Sequence, residues 1–208
     1  MNTEEFDLEH LPVTPQERTG VKLLKTFDPD IWVVVDGGHP APLDEVGSGA
    51  GVVVVQQLSL HEGQPEGYFT IDWQHYGYPL EDCGNSTDAE LWAAVKGLEK
   101  VAAVAGQKRI CLISDNSAVS TLQTKLLVIE LGIKNSHRYA KEMEASPWRE
   151  LADLFLRSQP CQIVAQQTLQ PEGFNLVLIA AHQAAHELAS KAARSVRQQS
   201  MSNNSCLS

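Results

Sequence analysis

Asp88-Ala-Glu-Leu-Trp-Ala-Ala-Val-Lys-Gly-Leu98 is the stretch on which the reading of this chain turns. From Ala89 to Ala105 the residues are mostly Ala, Leu, Glu and Lys, which lose little conformational freedom on entering a helix. Leu91, Val95, Leu98 and Ala102 recur at helical spacing, so one face packs against something apolar. Ser86, Thr87 or Asp88 can cap the start of this helix, and Gly106 is a good stop. Glu90 falls in its first turn.

Upstream of that helix the pattern is that of strands. Ile31-Trp-Val-Val-Val35 is a β-branched run fit for a buried strand, and Asp36 follows it directly. A loop with Gly37, Gly38, Pro40 and Pro42 comes next. Gly49 to Val55 reads as a second strand and Gly67 to Trp73 as a third, an arrangement that favours antiparallel pairing. Downstream, Arg109 to Ser114 returns to strand and ends on Asp115, and a short helix should follow Asp115-Asn116. Pro147 to Arg157 is helical, Gln162 to Gln166 is a strand, and a last helix runs from about Leu178 to Arg197. Strands and helices in this order make a mixed sheet with helices on its faces, an α/β layer architecture. Residues 1–28 are polar and aperiodic and read as an extended or disordered lead-in, residues 29–197 as one domain, and 198–208 as a polar tail.

The composition sets limits. With 43% hydrophobic and 20% charged residues among 208, the chain has the balance of a soluble globular domain. Its longest apolar runs are far too short to span a bilayer, and no secretory signal opens it, so we expect an intracellular protein, cytoplasmic or nuclear, without membrane contact. Cys83, Cys111, Cys161 and Cys206 form no CxxC pair, which argues against a zinc knuckle or a disulfide framework and for reduced thiols. Gly47-Ser-Gly-Ala-Gly51 precedes a strand and not a helix, so it lacks the helix N-terminus that holds a pyrophosphate. The net charge of −10 runs against phosphate binding, which draws on basic faces. Glu4, Glu5, Asp7 and Glu9 in the lead-in carry part of it, and a metal site itself needs clustered acids. Lys108, Arg109, Lys125, Lys134, Arg138 and Lys141 are candidates for phosphate contacts, against the commoner explanation of a solvated face.

Three acids stand where acids are costly. Asp36 and Asp115 end apolar strands, and burial there is unfavourable without hydrogen bonds or a cation. Were the two strands adjacent, the carboxylates would face one another across roughly 5 Å. A helix crossing that face could bring Glu90 to the same point. Three such acids are hard oxygen ligands for Mg2+ or Mn2+, and paired ions of this kind serve phosphodiester hydrolysis. Each acid also has a plainer role: Asp36-Gly37-Gly38 as a turn, Asp115-Asn116 as a helix cap, Glu90 as a partner of the helix dipole.

Several blocks together resemble the ribonuclease H family, with a retroelement flavour. Ile31 to Gly38 is similar to its first strand and Asp-Gly-Ser, Gly47 to Val54 to the entry of its second strand, and Asp88 to Leu98 to its helix with the catalytic Glu. Ile110 to Val119 is similar to the strand that delivers its third acid, and Ala185 to Ala193 to its last helix. The likeness spans residues 31–194. It implies a mixed five-stranded sheet with helices on both faces, and a metal-dependent endonuclease cutting the RNA strand of RNA–DNA hybrids. It further implies Asp36, Glu90 and Asp115 as catalytic metal ligands for Mg2+ (or Mn2+), and Gly37, Asn85, Ser86, Thr87 and Asn116 as substrate contacts. The pattern breaks at the last helix, where His186 stands in place of a fourth acid and His182 where Asn is usual. The loop Gln167 to Gly173 also lacks the family's histidine. His182 and His186, at i and i+4, share a helix face and can share a metal, which makes His186 a stand-in fourth ligand and points to weaker activity or a preference for Mn2+. The alternatives are a catalytically degenerate module that binds nucleic acid or protein, and a different nuclease on the same fold.

Overall fold

In the computed structural model the described residues are 29–39, 47–58, 70–80, 83–106 and 108–205. The lead-in, Cys206 and the start expected for the third strand at Gly67 lie outside them. Five strands, β1 (Ile31–Gly38), β2 (Ser48–Leu58), β3 (Thr70–Leu80), β4 (Ile110–Ser114) and β5 (Cys161–Ala165), form one sheet in the order β3-β2-β1-β4-β5. β1, β2 and β3 are an antiparallel meander, whereas β4 and β5 run parallel to β1. Among the described residues lie six α-helices: α1 (Ser86–Ala105), α2 (Ser117–Ser120), α3 (Leu122–Glu130), α4 (Ser136–Met143), α5 (Trp148–Arg157) and α6 (Phe174–Ser205).

β1 lies in the middle of the sheet and is buried on both faces, which is why it reads as an unbroken apolar run and not as an alternation. Ile31, Val33 and Val35 point to one side, where Leu91, Val95, Leu98 and Val101 of α1 and Leu151 and Phe155 of α5 meet them. Trp32 and Val34 point to the other, against Val177, Leu178, Ala181 and Ala185 of α6. The sheet thus separates two cores, with helices on both faces as the sequence implies.

Close approach shapes both layers. A Cβ on Gly97 would lie 2.7 Å from Val33 Cγ1, so α1 comes down onto β1 at that point. On the other face a Cβ on Gly51 would lie 1.8 Å from the Ala185 carbonyl oxygen, so α6 rests directly on β2. The three described cysteines are free thiols, and burial pushes those of Cys111 and Cys161 up to about 12. No helix among the described residues is long and apolar enough to cross a membrane.

Several boundaries differ from the sequence reading. Gly37 and Gly38 are not a loop but the end of β1, paired with Ala50 and Gly49. β3 continues past Trp73 to Leu80; Pro79 is tolerated because β3 is an edge strand. The buried stripe of α1 ends on Val101, and Ala102 is exposed. Residues 122–143, given no element by pattern, form α3 and α4. The last helix begins at Phe174 and continues to Ser205 through residues read as a polar tail, since extending a packed helix needs no new nucleus.

Candidate metal centre

The parallel pairing of β1 with β4 sets Val34 opposite Ile113. Two residues further along each chain stand Asp36 and Asp115, at the carboxyl ends of neighbouring parallel strands, where α/β sheets gather their ligands. Alternation decides which way they point. Asp36 continues the face of Trp32 and Val34, and Asp115 that of Cys111 and Ile113, so both carboxylates fall on the side covered by α6.

α6 meets them with two imidazoles. His182 and His186 are one turn apart, and the buried Ala181 and Ala185 seat that stretch on the sheet. His182 Nε2 lies 3.7 Å from Asp36 Oδ1 and 3.7 Å from Asp115 Oδ2. His186 Nδ1 lies 3.1 Å from the other Asp36 oxygen, Oδ2. One ligand atom each from Asp36, Asp115 and His182 falls within 4.8 Å of the others. His182 Nε2 is itself buried and has no hydrogen-bond partner.

Glu90 arrives from the opposite face. Its helix packs on the Val33–Val35 side, and its Oε2 accepts a hydrogen bond of 2.9 Å from the backbone N–H of Gly37. The helix crossing the face of Asp36 and Asp115 is therefore α6 and not α1, and Glu90 stands beside the cluster of three, not within it. The sequence reading placed Glu90 with the two aspartates; it lies outside the group of three yet close enough to feel the charge of both Asp36 and Asp115. His182, given there only as a partner of His186, is the residue grouped with them.

Two carboxyls in this corner, those of Asp36 and Glu90, are buried. Burial raises the Asp36 carboxyl; His182 and His186 pull it back, while Asp115 adds to the rise. Glu90 is pushed up to about 8, first by burial and then by the fields of Asp36 and Asp115, against the pull of the Gly37 N–H. Two neighbouring carboxylates, beside a buried nitrogen with nothing to bind, suit a divalent cation. The donor set of two carboxylates and an imidazole fits one.

The expected substrate contacts are partly occupied by structural work. Asn85 caps α1, its Oδ1 accepting from the Asp88 N–H at 3.0 Å and its Nδ2 donating to Asp88 Oδ2 at 2.8 Å. Asn116 caps α2, its Oδ1 accepting from the Ala118 N–H at 2.8 Å. Ser86 and Thr87 are exposed on the first turn of α1. Gln167 Nε2 donates to the Asp115 carbonyl and braces that strand end; no sequence signal singled it out. Lys108 and Arg109 lie at the other end of β4, roughly 20 Å of strand away, where Arg109 pairs with Asp30. Lys125 pairs with Glu142 and lies over the Trp148 ring. Lys134, Arg138 and Lys141 are exposed. Trp92, half-buried, packs against the core on the α1 side of the sheet.

Among solved structures, a foamy viral protease-reverse transcriptase determined with dsDNA superposes with a TM-score of 0.52 at 17% identity, covering 78% of this chain and 95% of that one. The fold is ribonuclease H-like. The foamy viral protease-reverse transcriptase solved with an RNA/DNA hybrid gives 0.53 at 16% identity, covering 79% of this chain and 20% of that one. The RNase H1 of Halobacterium salinarum NRC-1 gives 0.48 at 16% identity, covering 78% and 96%. No family model matches the sequence, and the search of curated proteins returned no match. The ribonuclease H-like sheet places Asp36 and Asp115 side by side, and α6 lays its histidines over them.

Proposed function

We propose that this chain is a divalent-metal-dependent endonuclease acting on the RNA strand of RNA–DNA hybrids. The observation that carries this reading is the meeting of Asp36 and Asp115 with the unpartnered His182 Nε2 at the ends of β1 and β4. Asp36, Asp115 and His182 would hold the ion, which when bound supplies positive charge to a phosphodiester under attack. His186 is exposed, and with Nδ1 engaged by Asp36 its other nitrogen is left to take up or give a proton. Glu90, fixed by Gly37, keeps a carboxyl beside the reacting centre. Ser86 and Thr87 border it at the N-terminus of α1, which favours a phosphate, and hybrid preference would come from contacts to the 2′-hydroxyl. Complexes of the foamy viral protein with both hybrid and dsDNA support nucleic acid as the partner.

One observation favours a second reading, a binding module without catalysis. His186 contacts Asp36 directly, so a protonated imidazole can neutralise the carboxylate without any ion. A labelled RNA–DNA hybrid incubated with the protein in Mg2+ and in Mn2+, beside Asp36→Asn and Asp115→Asn, separates the two. RNA-strand cleavage that both substitutions abolish supports the nuclease; no cleavage by folded protein in either ion leaves the module.

A further inference from the structure

The separation between His182 Nε2 and the two carboxylates is too long for a hydrogen bond and too short for an intervening water to satisfy all three groups comfortably. A lone pair there would face two anionic oxygens, and an N–H there would reach neither. We infer that this nitrogen is a metal ligand, and that the centre of Asp36, Asp115 and His182 selects a transition ion of the Mn2+, Co2+ and Zn2+ class over Mg2+. The inference deepens the reading of the corner as a metal centre and rests on it; it does not depend on nuclease activity.

The chemistry of the donors favours this choice. Mg2+ prefers an all-oxygen, near-octahedral shell and gives up water reluctantly, whereas imidazole suits later first-row ions. A third carboxylate would tilt the balance back toward a hard ion, but Glu90 is held on the Gly37 N–H at 2.9 Å and stands outside the ligand group. His186 on Asp36 Oδ2 fixes the carboxylate so that Oδ1 is the oxygen presented to His182. Such outer partners orient ligands in metal centres.

The test uses the untagged full chain, with folding of every variant checked by circular dichroism. Binding of Mn2+, Co2+ and Mg2+ is measured by calorimetry, and Co2+ additionally by its visible absorption. The expected result is at least tenfold tighter binding of Mn2+ and Co2+ than of Mg2+, and Co2+ bands that indicate a nitrogen ligand. His182→Asn should lose that advantage. His182→Asp, which replaces the nitrogen with oxygen, should raise Mg2+ affinity relative to Mn2+, a reversal that a merely structural histidine would not produce. Equal affinity for Mg2+ and Mn2+, or an unchanged Co2+ spectrum in His182→Asn, overturns the selectivity while leaving a metal centre standing. No binding of any of the three ions overturns the metal centre itself.

Discussion

Gly37 and Glu90 are locked together at the carboxyl end of β1: the Gly37 N–H donates to Glu90 Oε2 at 2.9 Å, and a Cβ on Gly37 would lie 2.3 Å from the Glu90 backbone nitrogen. The contact is backbone against backbone, so nothing flexible can yield. Gly37→Ala should push the first turn of α1 away from β1. We expect a loss of about 1–3 kcal/mol of stability, the usual cost of overpacking, together with weaker metal binding. An alanine variant as stable as the parent, measured by urea denaturation, would contradict this packing.

The raised Glu90 carboxyl makes a prediction about pH in metal-free protein. A group whose folded pKa is about 8, against 4.5 ordinarily, binds its proton more tightly when folded. Its contribution is complete below 4.5 and is lost as pH rises toward 8. Stability in EDTA should therefore fall between pH 5.5 and pH 8.5, by up to a few kcal/mol. Glu90→Gln, which keeps an acceptor for the Gly37 N–H, should flatten the fall. Urea midpoints at the two pH values decide, and a parent protein stabler at pH 8.5 would count against the assignment.

Asp36→Asn should separate function from stability. Asp36 is disfavoured as an anion by its burial and raises Glu90 in turn. Without metal, the asparagine variant is expected to melt no lower than the parent, while cleavage falls at least 100-fold, as for loss of a preorganised charge. A melting point several degrees lower would mean that its histidine contacts outweigh desolvation.

Gly51 lies far from residue 182 in sequence yet governs where α6 sits. The Cβ of Gly51→Ala would collide with the Ala185 carbonyl, lifting the turn that carries both histidines. Metal affinity should fall at least tenfold even in protein that remains folded, which calorimetry reads directly. Unchanged affinity would show that the helix can slide without moving His182.

Much of this was legible in the residues. Acids placed directly after Ile31–Val35 and Ile110–Ser114 stand out because an apolar strand has no cheap way to end in a buried charge. The i, i+4 spacing of His182 and His186 marked them as a pair. What escaped depended on tertiary placement. That Glu90 would reach Asp36 from the opposite side of the sheet was not legible, because nothing local says which face a helix covers. The third strand was read only to Trp73, and nothing local says that β3 is an edge where Pro79 is tolerated. Leu126-Leu-Val-Ile129 is apolar without helical period, and Leu127 remains half exposed, so α3 carried no stripe to read. Asn85 was passed over as cap in favour of the three residues after it.

His186 and Asp36 lie 150 residues apart in the chain and touch. The corner is therefore built from β1, β4 and α6, elements distant in the chain, and none of them holds it alone. The carboxylates of Asp36 and Asp115 precede the imidazoles of α6 in the chain, so the corner can assemble only after α6 has been made and has packed on the sheet. An ion seated there would tie β1 to α6; at a concentration 100 times its Kd it would add about 2.7 kcal/mol to the stability of the whole domain. Loss of the last helix by proteolysis would take away both the reactive corner and that clasp in a single cut.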